Sequence, residues 1–208
     1  MSKCKLVWIT PKAEQEICYC CRVSNPSNQS NENIEGLLKY CIRNNHWSIL
    51  QMASMCLEIN TTRAISSQII RHRSLNVQEF SQRYSIVDMD LAIPELRRTD
   101  KKNRQNSIDD LDEGVVRDLQ DEIEAHFKAS NLLYKKLIRN NVSKESSRFV
   151  LPMSAPTRMY VSATIRDWFH FIKVRTDPST QKECRDIAFQ IKKIFQEQLP
   201  IIGKLMDE

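Results

Sequence analysis

Glycine is scarce in this chain, and the scarcity limits how the chain can bind a phosphate. The 208 residues include only three glycines, Gly36, Gly114 and Gly203. A glycine-rich dinucleotide-binding turn and a P-loop both need glycines at fixed, close spacing. The sequence therefore excludes both motifs. Any bound phosphate must be held by side chains, chiefly arginine, or by helix N-termini.

Charge and cysteine content narrow the functional class. The formal net charge of +5 fits either a nucleic-acid binder or an enzyme with anionic substrates. Seven cysteines and no signal-like apolar segment predict reduced thiols in the cytoplasm, which is the host cytoplasm for a virus-encoded chain. Cys18 and Cys21 form a CxxC pair without a second pair at zinc-site spacing, so no metal is expected. No stretch predicts a membrane span.

Periodicity predicts one mixed domain of helices and strands over residues 1–208. Strands are predicted at residues 4–10, at residues 52–60 as a half-buried alternation, and at residues 159–165. Helices are predicted from Pro11, through residues 34–42, from a Thr61 or Thr62 cap toward His72, over residues 118–139, from an Asp167 cap, and after Pro178. Residues 97–113 are expected to form an exposed, mobile loop. Strand-helix alternations are too few for a doubly wound sheet.

The segment with the most candidate functional residues lies at residues 68–84 and reads QIIRHRSLNVQEFSQRY. On a helix, Gln68, Arg71 and His72 would share one face. From Arg63 to Arg83 the arginines form a basic patch, which is consistent with a solvated helix face, a nucleic-acid contact or a site for a small anion. Ser, Asn, Gln and Glu at fixed steps, without interleaved aromatic residues, favour the small anion. A thiol-dependent hydrolase, a further alternative, has no recognisable local signature here.

This segment resembles the signature RHRxxSxNxxSxR of the flavin-dependent thymidylate synthases, the ThyX family. Asn76 stands where serine is usual, and Gln78 where asparagine is usual. The residues that match in place are Arg71, His72, Arg73, Ser81 and Arg83. Other segments resemble family motifs in the family's order: RVS at 22–24, HWS at 46–48, RFVLP at 148–152, and TIRDWFHFIKVR at 164–175 against NxRxxxHFxxxR. In the last of these, Thr164 replaces asparagine.

The resemblance implies the reductive methylation of dUMP to dTMP with FAD, NADPH and methylenetetrahydrofolate, without a cysteine nucleophile. It also implies an α+β domain with an antiparallel sheet flanked by helices, assembled as a homotetramer with shared active sites and binding neither membrane nor nucleic acid. By resemblance, the dUMP-binding residues are Gln68, Arg71, Glu79, Phe80, Ser81, Gln82, Arg83, Arg148 and Arg175. The FAD-binding residues are Ser24, Ser48, Arg71, His72, Arg73, Glu79, Thr164, Arg166 and His170. Arg175 is expected to be catalytic, favouring loss of the uracil N3 proton.

Overall fold

A computed structural model describes residues 2–87 and 92–206 of the chain. Its strands are β1 (Lys3–Ile9), β2 (Ser54–Thr62), β3 (Asn76–Glu79), β4 (Arg98–Thr99), β5 (Ser107–Ile108) and β6 (Pro156–Thr164). Its α-helices are α1 (Ala13–Cys21), α2 (Glu35–Arg43), α3 (Arg63–Ile70), α4 (Glu113–Arg139), α5 (Lys144–Ser147), α6 (Ile165–Arg175), α7 (Lys182–Gln198) and α8 (Pro200–Lys204). Short 3₁₀ helices cover Pro26–Asn28, Trp47–Met52 and Arg148–Val150.

Four strands form one sheet in the order β1-β2-β6-β3. Backbone hydrogen bonds join the end of each strand to the start of its neighbour: Thr10 N donates to Ser54 O, Arg63 N to Ala155 O, and Phe80 N to Arg158 O. Such end-to-start pairing makes neighbouring strands antiparallel. The predicted α+β fold with an antiparallel sheet is therefore confirmed.

The two long alternating sequences behave differently in the sheet. In β6, buried residues alternate with more exposed ones over most of the strand, as the sequence predicts. The prediction that β2 is half-buried is wrong, because its residues from Met55 to Ile59 are all buried. β2 lies between β1 and β6, and Glu58 on its polar side accepts a hydrogen bond from Tyr160 Oη at 2.9 Å and pairs with Lys5.

The chain forms two compact units that interleave along the sequence. The first unit contains Asn60–Ile69 and Glu79–Met159, and the second contains Ser2–Ile59, Ile70–Gln78 and Tyr160–Glu208. A single domain over residues 1–208 stays a prediction. Within residues 2–87 and 92–206, the helices are too short or too polar to span a lipid bilayer.

The second unit has a core built from its helices and the adjoining strand residues. Trp168 and Phe171 of α6 are fully buried, and Trp168 Nε1 donates to Met55 O at 2.9 Å. Glu14 of α1 accepts hydrogen bonds from the backbone N–H groups of Ile201 and Ile202, both at 2.8 Å. These bonds satisfy donors at the start of α8, which would otherwise lack partners. Other fully buried residues are Ile17, Leu38, Leu50, Ile187, Ile191 and Phe195.

The first unit is organised around the long helix α4. Tyr134 is buried, and its hydroxyl accepts from Val87 N at 3.2 Å. Ser130 Oγ donates to Val150 O at 2.6 Å, which ties α4 to the 3₁₀ helix that contains Arg148. α4 begins at Glu113 behind an Asp112 cap, five residues earlier than the sequence predicts.

Three local predictions are wrong. The loop predicted at residues 97–113 contains β4 and β5, which pair antiparallel. The cap of α6 is Thr164 and not Asp167, because Thr164 Oγ1 accepts from Asp167 N. The helix predicted to run toward His72 ends at Ile70, so Arg71 and His72 lie in a turn and do not share a helical face with Gln68.

Candidate active site

The predicted site residues fall into two groups, one in each unit. In the first unit are most of the residues assigned to dUMP: Gln68, Glu79, Phe80, Ser81, Gln82, Arg83 and Arg148. In the second are Arg175 and all the residues assigned to FAD except Glu79: Ser24, Ser48, Arg71, His72, Arg73, Thr164, Arg166 and His170. Each group is described within its own unit.

In the first unit, Glu79 ends β3 and fixes the start of the segment that follows. Its Oε1 atom pairs with Arg63 Nη1 at 2.5 Å and accepts from Thr157 Oγ1 at 2.9 Å. Phe80 N continues the strand pairing by donating to Arg158 O at 2.8 Å. Sequence reasoning missed the part played by Thr157, because a threonine in a strand carries no distinctive signal.

The segment after Phe80 forms a compact turn. The backbone N–H groups of Tyr84 and Ser85 both donate to Ser81 O at 3.1 Å, and Arg83 N donates to Ser81 Oγ at 3.3 Å. Arg83 Nη2 reaches Glu145 Oε2 of α5 at 3.1 Å. Since Arg148 follows α5 by one residue, this ion pair links the turn to the element that leads into Arg148.

Gln82 stands out in this turn because its side chain is buried at 8% relative exposure. Its Nε2 group has no hydrogen-bond partner among the described residues. A buried amide donor without a partner costs roughly 1–3 kcal/mol. A ligand carbonyl that accepts from Gln82 would remove this cost.

In the second unit, α6 brings several predicted residues around His72. The His72 and His170 rings lie with centroids 5.4 Å apart and an interplanar angle of 42°, and Phe171 meets His72 edge-on at 5.3 Å. Burial lowers the pKa of His72, electrostatic interactions with His170 and Arg175 lower it further, and an interaction with Asp167 opposes them. His72 is therefore held in its neutral form at neutral pH.

Thr164 caps α6 and is itself fixed by that role. Its Oγ1 accepts from Asp167 N at 3.2 Å, and its hydroxyl donates to Asp167 Oδ2 at 2.6 Å. Threonine and asparagine are both good N-cap residues. The replacement therefore keeps the start of α6, although the hydroxyl lacks the amide donor that an asparagine would offer.

Arginines and serines complete the second group. The side chains of Arg71, Arg73 and Arg166 are exposed, and Arg175 is half-buried at the end of α6. Ser24 is exposed in the segment after α1, and Ser48 is exposed in the 3₁₀ helix Trp47–Met52. These residues are placed on four separate segments of the second unit.

The neighbouring Arg22, which sequence reasoning treats only as part of a motif, is buried. It donates to Asn31 O at 2.5 Å and to Asn33 O at 2.7 Å. These two bonds close the loop between α1 and α2, which begins with Val23 and Ser24. The closed loop limits the positions that Ser24 can take.

The two departures from the family signature lie together in the second unit. Asn76 and Gln78 of β3 line a cleft of about 560 Å³ with Trp8, Tyr160 and Ser162. Both side chains are exposed. They extend from the same face of β3, as residues two apart in a strand do. The described residues contain no group of three or more His, Cys, Asp and Glu side chains suited to a metal ion.

Sequence comparison finds a family model and related proteins that match most of this chain. The family model described as "Thymidylate synthase complementing protein" (Thy1) matches residues 5–201. The chain is 48% identical over 197 residues to the "Probable flavin-dependent thymidylate synthase" of Paramecium bursaria Chlorella virus 1, covering 94% of this chain and 91% of the relative. It is 45% identical over 191 residues to the "Flavin-dependent thymidylate synthase" of Synechocystis sp., covering 92% and 88%.

A solved structure shows the same fold. The UMP/dUMP methylase PolB from Streptomyces cacaoi, crystallised with 5-Br dUMP, superposes with a TM-score of 0.87. The match covers 98% of this chain and 93% of PolB at 20% sequence identity. At 20% sequence identity, this similarity shows only that the two proteins share an arrangement of helices and strands.

Proposed function

This chain belongs to the family of flavin-dependent thymidylate synthases, and from that premise we propose that it converts dUMP to dTMP. In the proposed reaction, dUMP, methylenetetrahydrofolate, NADPH and a proton yield dTMP, tetrahydrofolate and NADP⁺. The observation that carries the proposal is the family match over residues 5–201, which includes every predicted site residue. FAD is the proposed flavin, and when bound it would carry the two electrons from NADPH to the transferred one-carbon group.

The second unit offers groups that fit FAD. The diphosphate of FAD needs cations, since the three glycines of the chain cannot form a glycine-rich phosphate loop. Arg71, Arg73 and Arg166 have exposed guanidinium groups that can pair with phosphate oxygens. The ring pair of His72 and His170 adds flat surfaces, and neutral His72 can donate or accept a hydrogen bond.

The first unit offers groups that fit dUMP. Ser81 and Arg83 lie in one turn, where a hydroxyl and a guanidinium can hold a phosphate. Gln82 supplies the buried amide donor that has no partner among the described residues. We assign Gln68, Glu79, Phe80 and Arg148 of this unit to the same substrate, and we assign Arg71 of the second unit to it as well.

Arg175 is the proposed catalytic residue. A guanidinium beside the uracil stabilises the anion left when N3 loses its proton. A negatively charged uracil is richer in electrons at C5, the carbon that receives the one-carbon group. Arg175 therefore has a role in activating the substrate in addition to binding it.

The cysteines support a reaction without a thiol nucleophile. Burial raises the pKa of Cys4 and Cys18 to about 12 and that of Cys41 to about 11. It also raises the pKa of Cys56 and Cys184. A thiol with a raised pKa stays protonated at neutral pH and attacks poorly. Five of the seven cysteines are unsuited to nucleophilic catalysis for this reason.

All seven are free thiols, which supports a reducing compartment such as the cytoplasm.

Ion pairing weighs against the nucleic-acid alternative. Within the patch from Arg63 to Arg83, Arg63 pairs with Glu79 and Arg83 pairs with Glu145. Two of the four arginines therefore have a carboxylate partner, which lowers the net positive charge that the patch as a whole presents to an extended nucleic-acid backbone.

We retain a homotetramer with shared active sites as part of the proposal. Phe149, Leu132 and Met153 are exposed at 84%, 70% and 62%, and such apolar side chains are suited to burial between subunits.

The test combines a spectrum with an analysis of the folate product. Purified protein is expected to bind FAD with a visible flavin spectrum that dUMP perturbs. With dUMP, methylenetetrahydrofolate and NADPH present, dTMP and tetrahydrofolate should form in equal amounts, and omission of any one should abolish dTMP. Formation of dihydrofolate would mean that the folate supplied the electrons, and it would contradict the proposed use of NADPH. A folded protein that binds no flavin would contradict the assignment of FAD.

A further inference from the structure

Two cysteines face each other between α1 and α2 in the second unit. Cys21 is the last residue of α1, and Cys41 lies in α2, 20 residues later in the chain. Their Sγ atoms are 4.0 Å apart. Cys41 is buried, whereas Cys21 is half-buried and keeps part of its surface open to solvent. Neither thiol is among the groups assigned to dUMP or FAD, and the proposed reaction uses no cysteine.

Backbone hydrogen bonds hold the chain on both sides of the sulfur contact. Arg22, directly after α1, donates to Asn31 O at 2.5 Å and to Asn33 O at 2.7 Å, which ties the end of α1 to the segment before α2. At the other side, His46 N donates to Cys41 O at 2.8 Å. The fold thus keeps the two thiols close together, which raises the effective concentration of each thiol for the other.

The gap between the two sulfur atoms is small enough to close. A disulfide bond is about 2.05 Å long, so the atoms must approach each other by about 2 Å. A sulfur atom moves by a distance of this order when its side chain changes from one staggered rotamer to another. The folded chain therefore places Cys21 and Cys41 within reach of a covalent bond.

The three thiols of this region differ in their access to an oxidant. Cys18 lies three residues before Cys21 on α1, is fully buried, and donates from Sγ to Ile34 O at 3.8 Å. Burial raises the pKa of Cys18 to about 12, and burial together with the neighbouring Cys21 raises that of Cys41 to about 11. Buried, protonated thiols react slowly with oxidants. The half-buried Cys21 is therefore the expected first target.

We propose that Cys21 and Cys41 form a reversible disulfide when the protein meets hydrogen peroxide. In the first step the Cys21 sulfur attacks one peroxide oxygen, the O–O bond breaks, and a sulfenic acid and water form. In the second step the Cys41 sulfur attacks the Cys21 sulfur, and the sulfenic hydroxyl leaves with the Cys41 proton as a second water. Both sulfur atoms are oxidised and the peroxide is reduced. A dithiol reductant reverses the bond by thiol–disulfide exchange.

The disulfide would enclose the loop between α1 and α2 in a covalent ring. A cross-link of this kind stabilises a fold mainly by restricting the unfolded chain. The ring contains Ser24, so oxidation would also restrict a residue that the proposed function assigns to FAD. A bond that forms only in response to an oxidant is compatible with a reducing compartment. The proposed disulfide itself does not rest on the methylation reaction.

The test is to treat the full, reduced chain with hydrogen peroxide, alkylate the remaining thiols and digest with trypsin. Cleavage at Lys and Arg leaves Cys21 in the peptide 13–22 and Cys41 in the peptide 40–43. We expect mass spectrometry to find these two peptides joined, with fragmentation placing the link on Cys21 and dithiothreitol separating the peptides. The oxidised protein should also unfold at a urea concentration higher by about 1 M.

Single substitutions assign the link to its two sulfur atoms. Cys21→Ser and Cys41→Ser should each abolish the joined peptides, and Cys41→Ser should leave Cys21 as a sulfenic acid that dimedone labels. The matched control is Cys20→Ser, which removes an adjacent thiol of similar exposure and should leave the yield of joined peptides unchanged. Urea midpoints of the reduced variants separate loss of a thiol from a folding defect.

Three results would overturn the proposal. They are no joined peptides at millimolar peroxide, the same yield of joined peptides in Cys21→Ser as in the parent protein, and the same yield when oxidation is carried out in concentrated urea. An oxidised protein that unfolds at lower urea than the reduced protein would also overturn it, because the bond would then strain the fold. Mass spectrometry reports the link whether or not the protein binds FAD or forms dTMP, so failure of this proposal and failure of the proposed function give different results.

Discussion

Glu79 combines a structural contact with a position next to the proposed substrate. The ion pair with Arg63 and the hydrogen bond from Thr157 both end on the single atom Oε1. Neither of these two contacts uses Oε2, and we propose that this oxygen accepts a hydrogen bond from the ligand. The ion pair holds the chain where β3 ends and the turn of Ser81 to Arg83 begins. One carboxylate can thus order the turn and face the ligand that the turn is proposed to bind.

Arg175→Ala should weaken dUMP binding and turnover by at least about tenfold, the usual effect of losing a hydrogen bond to a charged group, while FAD stays bound. The matched variant is Arg166→Ala on the same helix, which should weaken FAD binding and leave dUMP affinity nearly unchanged. Flavin absorbance and dUMP titration measure both properties on each variant. Unchanged dUMP affinity in Arg175→Ala would remove Arg175 from the substrate site.

His72 should titrate below its usual value of 6.5, since burial and the charges of His170 and Arg175 disfavour the protonated ring. The unfolded chain then binds the proton more readily than the folded chain. The stabilising contribution of neutral His72 is therefore complete above the unfolded pKa and is lost as pH falls through the window between the unfolded and folded values. NMR titration of the His72 ring measures the folded pKa, and urea unfolding at several pH values measures the stability.

The control for this prediction is His72→Gln, which should flatten the dependence of unfolding free energy on pH below about 6.5. Arg175→Ala provides a second check, because removal of a neighbouring positive charge should raise the His72 pKa. A His72 midpoint at or above 6.5 in the parent protein would show that the ring is not shielded as described.

At the scale of elements, α6 serves two regions through two faces. One face carries Phe171 and Arg175 toward the His72 cluster, and another carries Phe169 and Ile172 into the core, where Phe169 contacts Phe195 of α7. The Thr164 cap sets where the helix starts and therefore which residues lie on each face. A shift of one residue would rotate each side chain by about 100°. The cap is thus part of the positioning of the His72 cluster.

The junction of α7 and α8 depends on a close approach at Gly203. A Cβ atom added there would lie 2.7 Å from Gln196 Cα, which belongs to the backbone of α7 and cannot move aside easily. Gly203→Ala should therefore lower the free energy of unfolding by about 1–3 kcal/mol. Gly36→Ala in α2 is the matched control, since nothing lies within 4 Å of its added Cβ.

Gly36→Ala should leave stability unchanged or raise it by up to about 1 kcal/mol, because alanine costs less backbone entropy than glycine in a helix. Urea unfolding of the two variants beside the parent protein measures the difference. Equal stability of the two variants would show that α8 does not pack on α7 as closely as described.

At the scale of the whole molecule, sequence reasoning works best where a pattern is long. The strand β6 and the helices α2, α4 and α7 have extended apolar periodicity, and each is predicted close to its observed position. β3 is missed because its four residues lie inside a charged segment, and α8 because its five residues are too few for a period. The burial of both faces of β2 depends on its neighbours in the sheet, which its own sequence does not contain.

Prediction of the candidate site also works best where its residues belong to a recognisable sequence motif. The motif around Arg71 and that around His170 identify residues that the fold brings together, since His72 and His170 are in ring contact. Arg22 and Thr157 have no role assigned from the sequence, because each acts through a partner that is distant in sequence or a backbone carbonyl. Interactions of this kind become visible only once the chain is folded. The roles of the predicted site residues stay predictions until ligand binding is measured.

We expect the two units to unfold together as one domain. The chain passes between them inside β2, at residues 59 and 60, and inside β6, at residues 159 and 160. Unfolding either unit would release one end of both strands and expose buried apolar residues such as Met159 and Ile59. Such continuity favours a single cooperative transition.

Two probes can separate the units during urea unfolding at fixed protein concentration. All three tryptophans, Trp8, Trp47 and Trp168, belong to the second unit, so their fluorescence reports on that unit. Hydrogen exchange of peptides from α4, followed by mass spectrometry, reports on the first. For one domain, loss of α4 protection and the fluorescence change should share one midpoint, because coincident transitions are the mark of two-state unfolding. Exchange in α4 at clearly lower urea than the fluorescence change would instead divide the chain into two independently stable parts.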